Sequence, residues 1–172
     1  MGDQVMKRAV SLLLTAILFL SLFPGCERKK KIPPDAIRSV THFYYTESHG
    51  SDFDRRITYE FNAEDGVYTV IIKLAGVTEE DALTANVGSA FAEQLETVLR
   101  DYDVGSWNGF DKKDYHYIEG EGFTLHAVMA DGTDIDAVGL MEWPEHYDAV
   151  SQAFHKLFMG IYQEYRPRGN DG

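Results

Sequence analysis

The sequence predicts an α+β domain, an antiparallel sheet of about five strands with two amphipathic helices packed on one face. Three observations predict it. Apolar-patterned runs flank Asp65-Gly66 and again Asp131-Gly132, and an Asp-Gly pair between such runs is a strong hairpin signal. Two other stretches repeat apolar residues at helical spacing. The order is strand, hairpin, helix, hairpin, helix, which suits helices gathered on one side of an antiparallel sheet.

The elements follow in order. Residues 37–46 are rich in β-branched and aromatic side chains and read as a strand. Ile57, Tyr59 and Phe61 alternate with Thr58 and Glu60, the pattern of a half-buried strand. Residues 67–74 return from the Asp65-Gly66 turn. Residues 78–87 read two ways: Thr78, Glu79, Glu80 and Asp81 look like a helix start, while residues 83–87 suit a short strand. Phe91, Leu95, Val98, Leu99 and Tyr102 fall on one helical face, with Ser89 as N-cap. Residues 123–130 and 133–141 form the second hairpin. Tyr147, Val150, Phe154, Leu157, Phe158, Ile161 and Tyr165 make the stripe of the second helix, and Pro144 just ahead suits its start. Trp143-Pro144 is expected to plug the space beneath the sheet. Trp107 and Phe110 are expected to fold back and close the core, because large aromatics anchor packing.

The chain has 172 residues, with 16 Lys+Arg against 28 Asp+Glu and a formal charge of -12. Such an acidic chain is a poor partner for nucleic acid. With 44% hydrophobic and 13% aromatic residues, it is too apolar for a disordered chain. One cysteine excludes a disulfide framework and any multi-cysteine metal site. None of the six histidines has the spacing that puts two metal ligands on one helix face. Asp131, Asp134 and Asp136 do not follow a calcium loop, because glycine stands at its second position. Gly105-Ser106-Trp107-Asn108-Gly109 is not a nucleophile elbow, because the serine directly follows the first glycine. No metal and no cofactor are expected.

The N-terminus stands apart. Lys7 and Arg8 precede the 15 uncharged residues 9–23. That run is shorter than the roughly 20 apolar residues of a membrane span, and it fits a signal peptide. It ends at Gly25-Cys26, which resembles the lipobox of bacterial lipoproteins. The resemblance implies cleavage after residue 25 and a diacylglyceryl group on Cys26. An ordinary export signal is one alternative. An uncleaved anchor is another, and the basic residues 28–31 would then put the domain in the cytoplasm. Residues 26–35 are expected to be a tether stiffened by Pro33-Pro34, with Arg28, Lys29, Lys30 and Lys31 against lipid headgroups or simply solvated. Residues 36–166 form one domain, and residues 167–172 a frayed tail.

The candidate binding residues lie in the long loop between the first helix and the second hairpin. Asp111, Asp114, Tyr115, His116 and Tyr117 place aromatic and charged groups side by side, and loops on a rigid scaffold carry binding. Their alternation predicts an edge strand with His116 on the face opposite Tyr115 and Tyr117. The carboxylates Asp101, Asp103, Asp111, Asp114, Glu119 and Glu121 offer an alternative, an acid–base pair for hydrolysis.

A longer resemblance covers residues 90–160. Tyr102-Asp103-Val104 leads to Trp107-Asn108-Gly109-Phe110-Asp111-Lys112. Glu119-Gly120 and Gly122-Phe123-Thr124-Leu125 come next, then Asp131-Gly132-Thr133 with Ala137-Val138-Gly139, then Pro144-Glu145 with Tyr147. These pieces resemble a family of uncharacterised lipoproteins of Gram-positive gut bacteria. The resemblance implies a secreted, membrane-anchored α+β domain and no particular reaction. The expectation is therefore a lipoprotein on the outer face of the cytoplasmic membrane. It would act as a binding or interaction module for an envelope protein or glycan rather than as an enzyme. An envelope hydrolase using the carboxylates of residues 101–121 is the alternative.

Overall fold

Asp65 and Gly66 both take positive φ, 50° and 79°. That is the primed turn whose twist matches the strands it joins. It connects β2 (Arg56–Glu64) to β3 (Val67–Lys73). β1 (Val40–Ser48) pairs with β2 on one side and with β6 (Gly122–Met129) on the other, both antiparallel. The ambiguous segment resolves as β4 (Leu83–Val87), antiparallel to β3. The acidic residues before it form a turn, in which the Thr78 hydroxyl donates to Asp81 Oδ2 at 2.8 Å. β7 (Asp134–Leu140) returns from the Asp131-Gly132 turn against β6. The structure, a computed structural model, describes residues 29–48, 56–114, 116 and 120–166.

The sheet has seven strands in the order β4-β3-β2-β1-β6-β7-β5, not about five, and it is mixed rather than purely antiparallel. The extra edge strand, β5 (Phe110–Lys113), runs parallel to β7 from Phe110 opposite Ala137 to Lys113 opposite Leu140. A 3₁₀ turn at Val104–Trp107 delivers it, followed by Gly109 at φ 78°. The Gly109 N–H donates to the Asp136 carbonyl at 2.8 Å, and the Asp136 N–H donates to Asn108 Oδ1 at 3.1 Å. That pair of bonds sets the register of a segment whose own sequence, Phe-Asp-Lys-Lys, carries no strand pattern.

α1 (Ser89–Asp101) and α2 (Tyr147–Tyr165) lie on one face of the sheet. Ser89 is the first residue of α1 rather than its cap; Gly88 holds the cap position and makes no side-chain bond. Alternation along the strands points Phe43, Tyr45, Tyr59, Phe61, Val70, Ile72, Leu125 and Ala127 toward the helices, all at most 1% exposed. α1 returns Phe91, Leu95 and Leu99, and α2 returns Val150, Phe154 and Phe158. Phe158 sits at the centre of an aromatic layer. Its ring is 4.7 Å from Tyr59, 5.2 Å from Phe91 and 5.7 Å from Phe43. His42, Tyr44, Glu60, Asn62 and His126 point to the other face, which no described helix covers.

Trp107 closes the core as expected: it is 2% exposed, packs edge-on to Phe123 at 5.7 Å and donates from Nε1 to the Glu145 carbonyl at 3.1 Å. Phe110 is half-buried beside Phe123. Trp143 does not plug the underside of the sheet. It lies at the surface, 38% exposed, with its ring 4.5 Å from that of Tyr147.

Residues 29–36 are fastened to the domain, although most of them belong to the stretch that the sequence assigns to a tether. The Ile32 N–H donates to the Gly105 carbonyl at 2.9 Å, and Asn108 Nδ2 donates to the Lys30 carbonyl at 2.9 Å. Ile32 packs against the core. Pro34–Ala36 forms a 3₁₀ turn, and Arg100 caps the Ile37 carbonyl at 3.0 Å. A β-carbon on Gly105 would strike the Ile32 carbonyl, and one on Gly109 would stand 2.7 Å from Lys29 Cβ. Both glycines therefore leave room for this segment. Among the described residues no helix is long and apolar enough to cross a membrane.

Phe158→Ala would remove the central ring of the aromatic layer. It should lower the unfolding free energy by about 3–5 kcal/mol, measured by equilibrium denaturant unfolding.

Candidate functional site

The second helix carries a row that its apolar stripe obscures. Tyr147, Ser151 and His155 are spaced four apart, so they stack along one helix face. Each meets a polar atom rising from the inner face of the sheet. Tyr147 Oη lies 3.0 Å from Tyr45 Oη, Ser151 donates to Glu47 Oε2 at 2.8 Å, and His155 Nδ1 lies 2.6 Å from Tyr59 Oη. Tyr45 and Glu47 share a face of β1 because they are two residues apart, and Tyr59 is the cross-strand partner of Tyr45. A seam of hydroxyl, carboxylate and imidazole groups therefore runs along the edge of the aromatic core.

Glu47 is the focus of the seam. Tyr45 donates to its Oε2 at 2.9 Å, Ser151 donates at 2.8 Å and Tyr147 lies at 3.5 Å, all on the same oxygen. Burial, aided by the charge of Glu47, pushes the Tyr45 and Tyr59 hydroxyls far above their ordinary range. Burial does the same to Tyr147. Oε1 of Glu47 has no hydrogen-bond partner among the described residues, and the side chain lines a pocket of about 250 Å³. Ser48, Gly122 and Gln152 also form its walls. Glu121 and Asp148 stand on its rim, and the Trp143 ring forms one side. No lysine or arginine among the described residues lines it.

The arrangement can bind a cation or a hydrogen-bond donor. One carboxylate oxygen is held by hydroxyls while the other has no partner among the described residues, and Trp143 and two further carboxylates line the same pocket. Ser151 is not an activated nucleophile. Its proton goes to a carboxylate, and the nearest histidine of the seam, His155, is engaged by Tyr59.

The residues expected from the sequence lie elsewhere. Asp111 is on β5, on the outer side of the sheet, with its carboxylate 3.1 Å from Lys113 Nζ. Asp114 and His116 close a turn on each other: Asp114 Oδ1 accepts the His116 N–H at 3.0 Å and faces His116 Nδ1 at 2.6 Å. Those bonds, backbone first, hold the Asp114 carboxyl below its usual range. His116 is not in a strand, since β5 ends at Lys113 and His116 lies in a turn. Tyr115, Tyr117, Glu119 and Cys26 lie outside the described residues. Of the described carboxylates between residues 101 and 121, Glu121 alone reaches the pocket. The seam was legible only as Tyr147-x-x-x-Ser151-x-x-x-His155, a polar row easily absorbed into an apolar helix face.

A second polar network crosses the open face of the sheet. Asn62 Oδ1 lies 2.7 Å from His42 Nδ1, and the His42 and His126 rings are 5.6 Å apart. His126 Nδ1 contacts Asp136, and Lys29 bridges Asp136 and Asp134. Burial pushes the Asp136 carboxyl up, but the hydrogen bonds from Lys29 and His126 outweigh it and hold it at about 2. Among the described residues no group of three or more His, Cys, Asp or Glu side chains is placed to hold a metal ion. No protein-family model matches the chain, and no curated protein shows significant similarity to it.

The Asp136 carboxyl yields a pH prediction. Its folded value of about 2 lies below the ordinary value of about 3.9. Its contribution to stability is therefore complete above about pH 4 and is lost as pH falls toward 2. Unfolding free energies measured across that window should decline more steeply for the unaltered chain than for Asp136→Asn.

Proposed function

We propose that this chain is an extracytoplasmic lipoprotein, held on the outer face of the cytoplasmic membrane by a lipid on Cys26. Its domain is a binding module, and the pocket beside Glu47 takes the ammonium or guanidinium group of an envelope component. The observation that carries this reading is the Glu47 carboxylate. One of its oxygens is fixed by Tyr45 and Ser151, the other has no hydrogen-bond partner among the described residues, and Trp143 lines the same pocket. An uncharged run that ends in Gly25-Cys26 supports the location. The rigid donors matter to the binding: a carboxylate held in place before the ligand arrives loses little freedom on binding.

The two tryptophans make the test direct. Trp107 is buried and Trp143 is exposed, so a ligand entering the pocket should perturb Trp143 emission and leave Trp107 as an internal reference. The unaltered chain would be titrated with a polyamine, a lysine-rich peptide and a neutral oligosaccharide. The cationic probes should shift the emission, and Trp143→Phe should abolish the response. Glu47→Gln should weaken binding about tenfold or more, the value of a hydrogen bond to a charged group. A response only to the neutral oligosaccharide, or equal binding by Glu47→Gln, would remove the cation-binding reading. Cleavage of a probe that disappears in Glu121→Gln would instead favour the envelope hydrolase.

A further inference from the structure

The first described residues make a case about how the domain is mounted. Lys29 lies between Asp134 and Asp136 at the start of β7, on the open face of the sheet. From there the chain passes over the sheet edge. The Lys30 carbonyl is held by Asn108, the Ile32 N–H by the Gly105 carbonyl, and the Ile37 carbonyl by Arg100. Ile37 is fully buried. Gly105 and Gly109 lack the β-carbons that would obstruct this path. The Pro33-Pro34 pair falls inside the fastened stretch, at the 3₁₀ turn, and not in a free spacer.

We infer that residues 29–37 are a fixed mount rather than a tether. A lipid on Cys26 therefore holds the Asp134–Asp136 edge of the sheet against the headgroups with the Glu47 pocket turned away. The inference rests on the lipid-anchored reading above. Only residues 27 and 28 separate Cys26 from Lys29, and that length of chain spans about 10 Å at full extension. The edge can therefore rise no higher than that above the anchored cysteine. The exposed Lys30 and Lys31 side chains lie at the same level, placed to meet anionic headgroups.

Strand register fixes where the pocket goes. Asp134 stands opposite Val128, and Val128 opposite His42. Ser48 and Gly122, which border the pocket, pair with each other six residues further along β1 and β6. Six residues of strand span about 20 Å. The pocket also opens on the helix side of the sheet, whereas Lys29 sits on the open side. Lys29 and the pocket thus lie toward opposite ends of these strands and on opposite faces of the sheet. A ligand would be met from the cell wall rather than from the bilayer.

The test uses the lipidated chain, purified from its own membrane and placed in nanodiscs whose headgroups carry a paramagnetic label. Because the lipid blocks Cys26, single introduced cysteines report position: Thr133→Cys beside the mount and Gln152→Cys, an exposed residue that lines the pocket. Relaxation should be several-fold stronger at residue 133 than at residue 152. Gly105→Val, which obstructs the path of Ile32, should bring the two values together. If that variant fails to fold, Lys29→Ala removes the bridge to Asp134 and Asp136 while leaving the Asn108 clamp on β5 in place, and it should lessen the difference. Equal relaxation at both positions in the otherwise unaltered chain would overturn the mount. The mass of the N-terminal peptide separates this failure from failure of the anchor. If no lipid is found, exchange of the Ile32 amide decides. Protection supports the mount, and exchange at the rate of an open chain overturns it.

Discussion

The contact on which the rest of the molecule depends is that of α2 with the two central strands. Phe154 and Phe158 lie over Phe43, Tyr45 and Tyr59 at ring separations between 4.7 and 5.7 Å. Large rings at these distances fill the layer densely and leave α2 little freedom to rotate or slide. Because Phe154 and Phe158 are spaced four apart, their positions also set those of Tyr147, Ser151 and His155 on the adjoining strip of the helix. The polar seam is therefore a consequence of aromatic packing. A small rotation of α2 would separate Ser151 from Glu47 and His155 from Tyr59 together.

Burying tyrosine hydroxyls beneath a helix is favourable only if each finds a partner. Glu47 and His155 supply them, and among the described residues no buried side-chain polar atom lacks a partner. The same requirement shapes the pocket. Glu47 must be present to accept from Tyr45, and its reach from β1 to the helix leaves one oxygen at the surface. The carboxylate thus belongs to the core on one side and to solvent on the other. A ligand that engages it would load the strands and the helix at once.

β1, the strands of both hairpins and both helices were legible because their signals are local, whereas β4 stayed open between a strand and a helix start. The Asp65-Gly66 pair needs no distant partner to take positive φ, and the alternation of Ile57, Tyr59 and Phe61 marks a face by itself. β5 was not legible. Its four residues pair with β7 only because Asn108 and Gly109 clamp the Asp136 backbone, an interaction across 28 positions of sequence. Parallel edge pairing of this kind is set by tertiary contact and leaves little trace in composition. The site was missed for a related reason. Aromatic and charged residues crowd the loop after β5, whereas Glu47, Tyr147 and Ser151 are scattered among apolar neighbours and meet only through the register of α2 on the sheet.

The fastened N-terminal segment carries the same argument to an acidic chain. A run of lysines after an uncharged stretch reads as a headgroup-binding patch or a solvated linker, because sequence shows the cations and not what faces them. In the fold, Lys29 meets Asp134 and Asp136, and Asp136 also meets His126. One cation thus relieves the repulsion between two aspartates that the alternation of β7 places on the same face. The glycines at 105 and 109 are the other half of the signal, visible only as side chains that are absent where the backbone of residues 29–32 passes. A stretch that looks like a spacer can thus become part of the domain when its partners are an acidic strand edge and two missing β-carbons. In such a case the length of chain left free is decided by the surface it lands on.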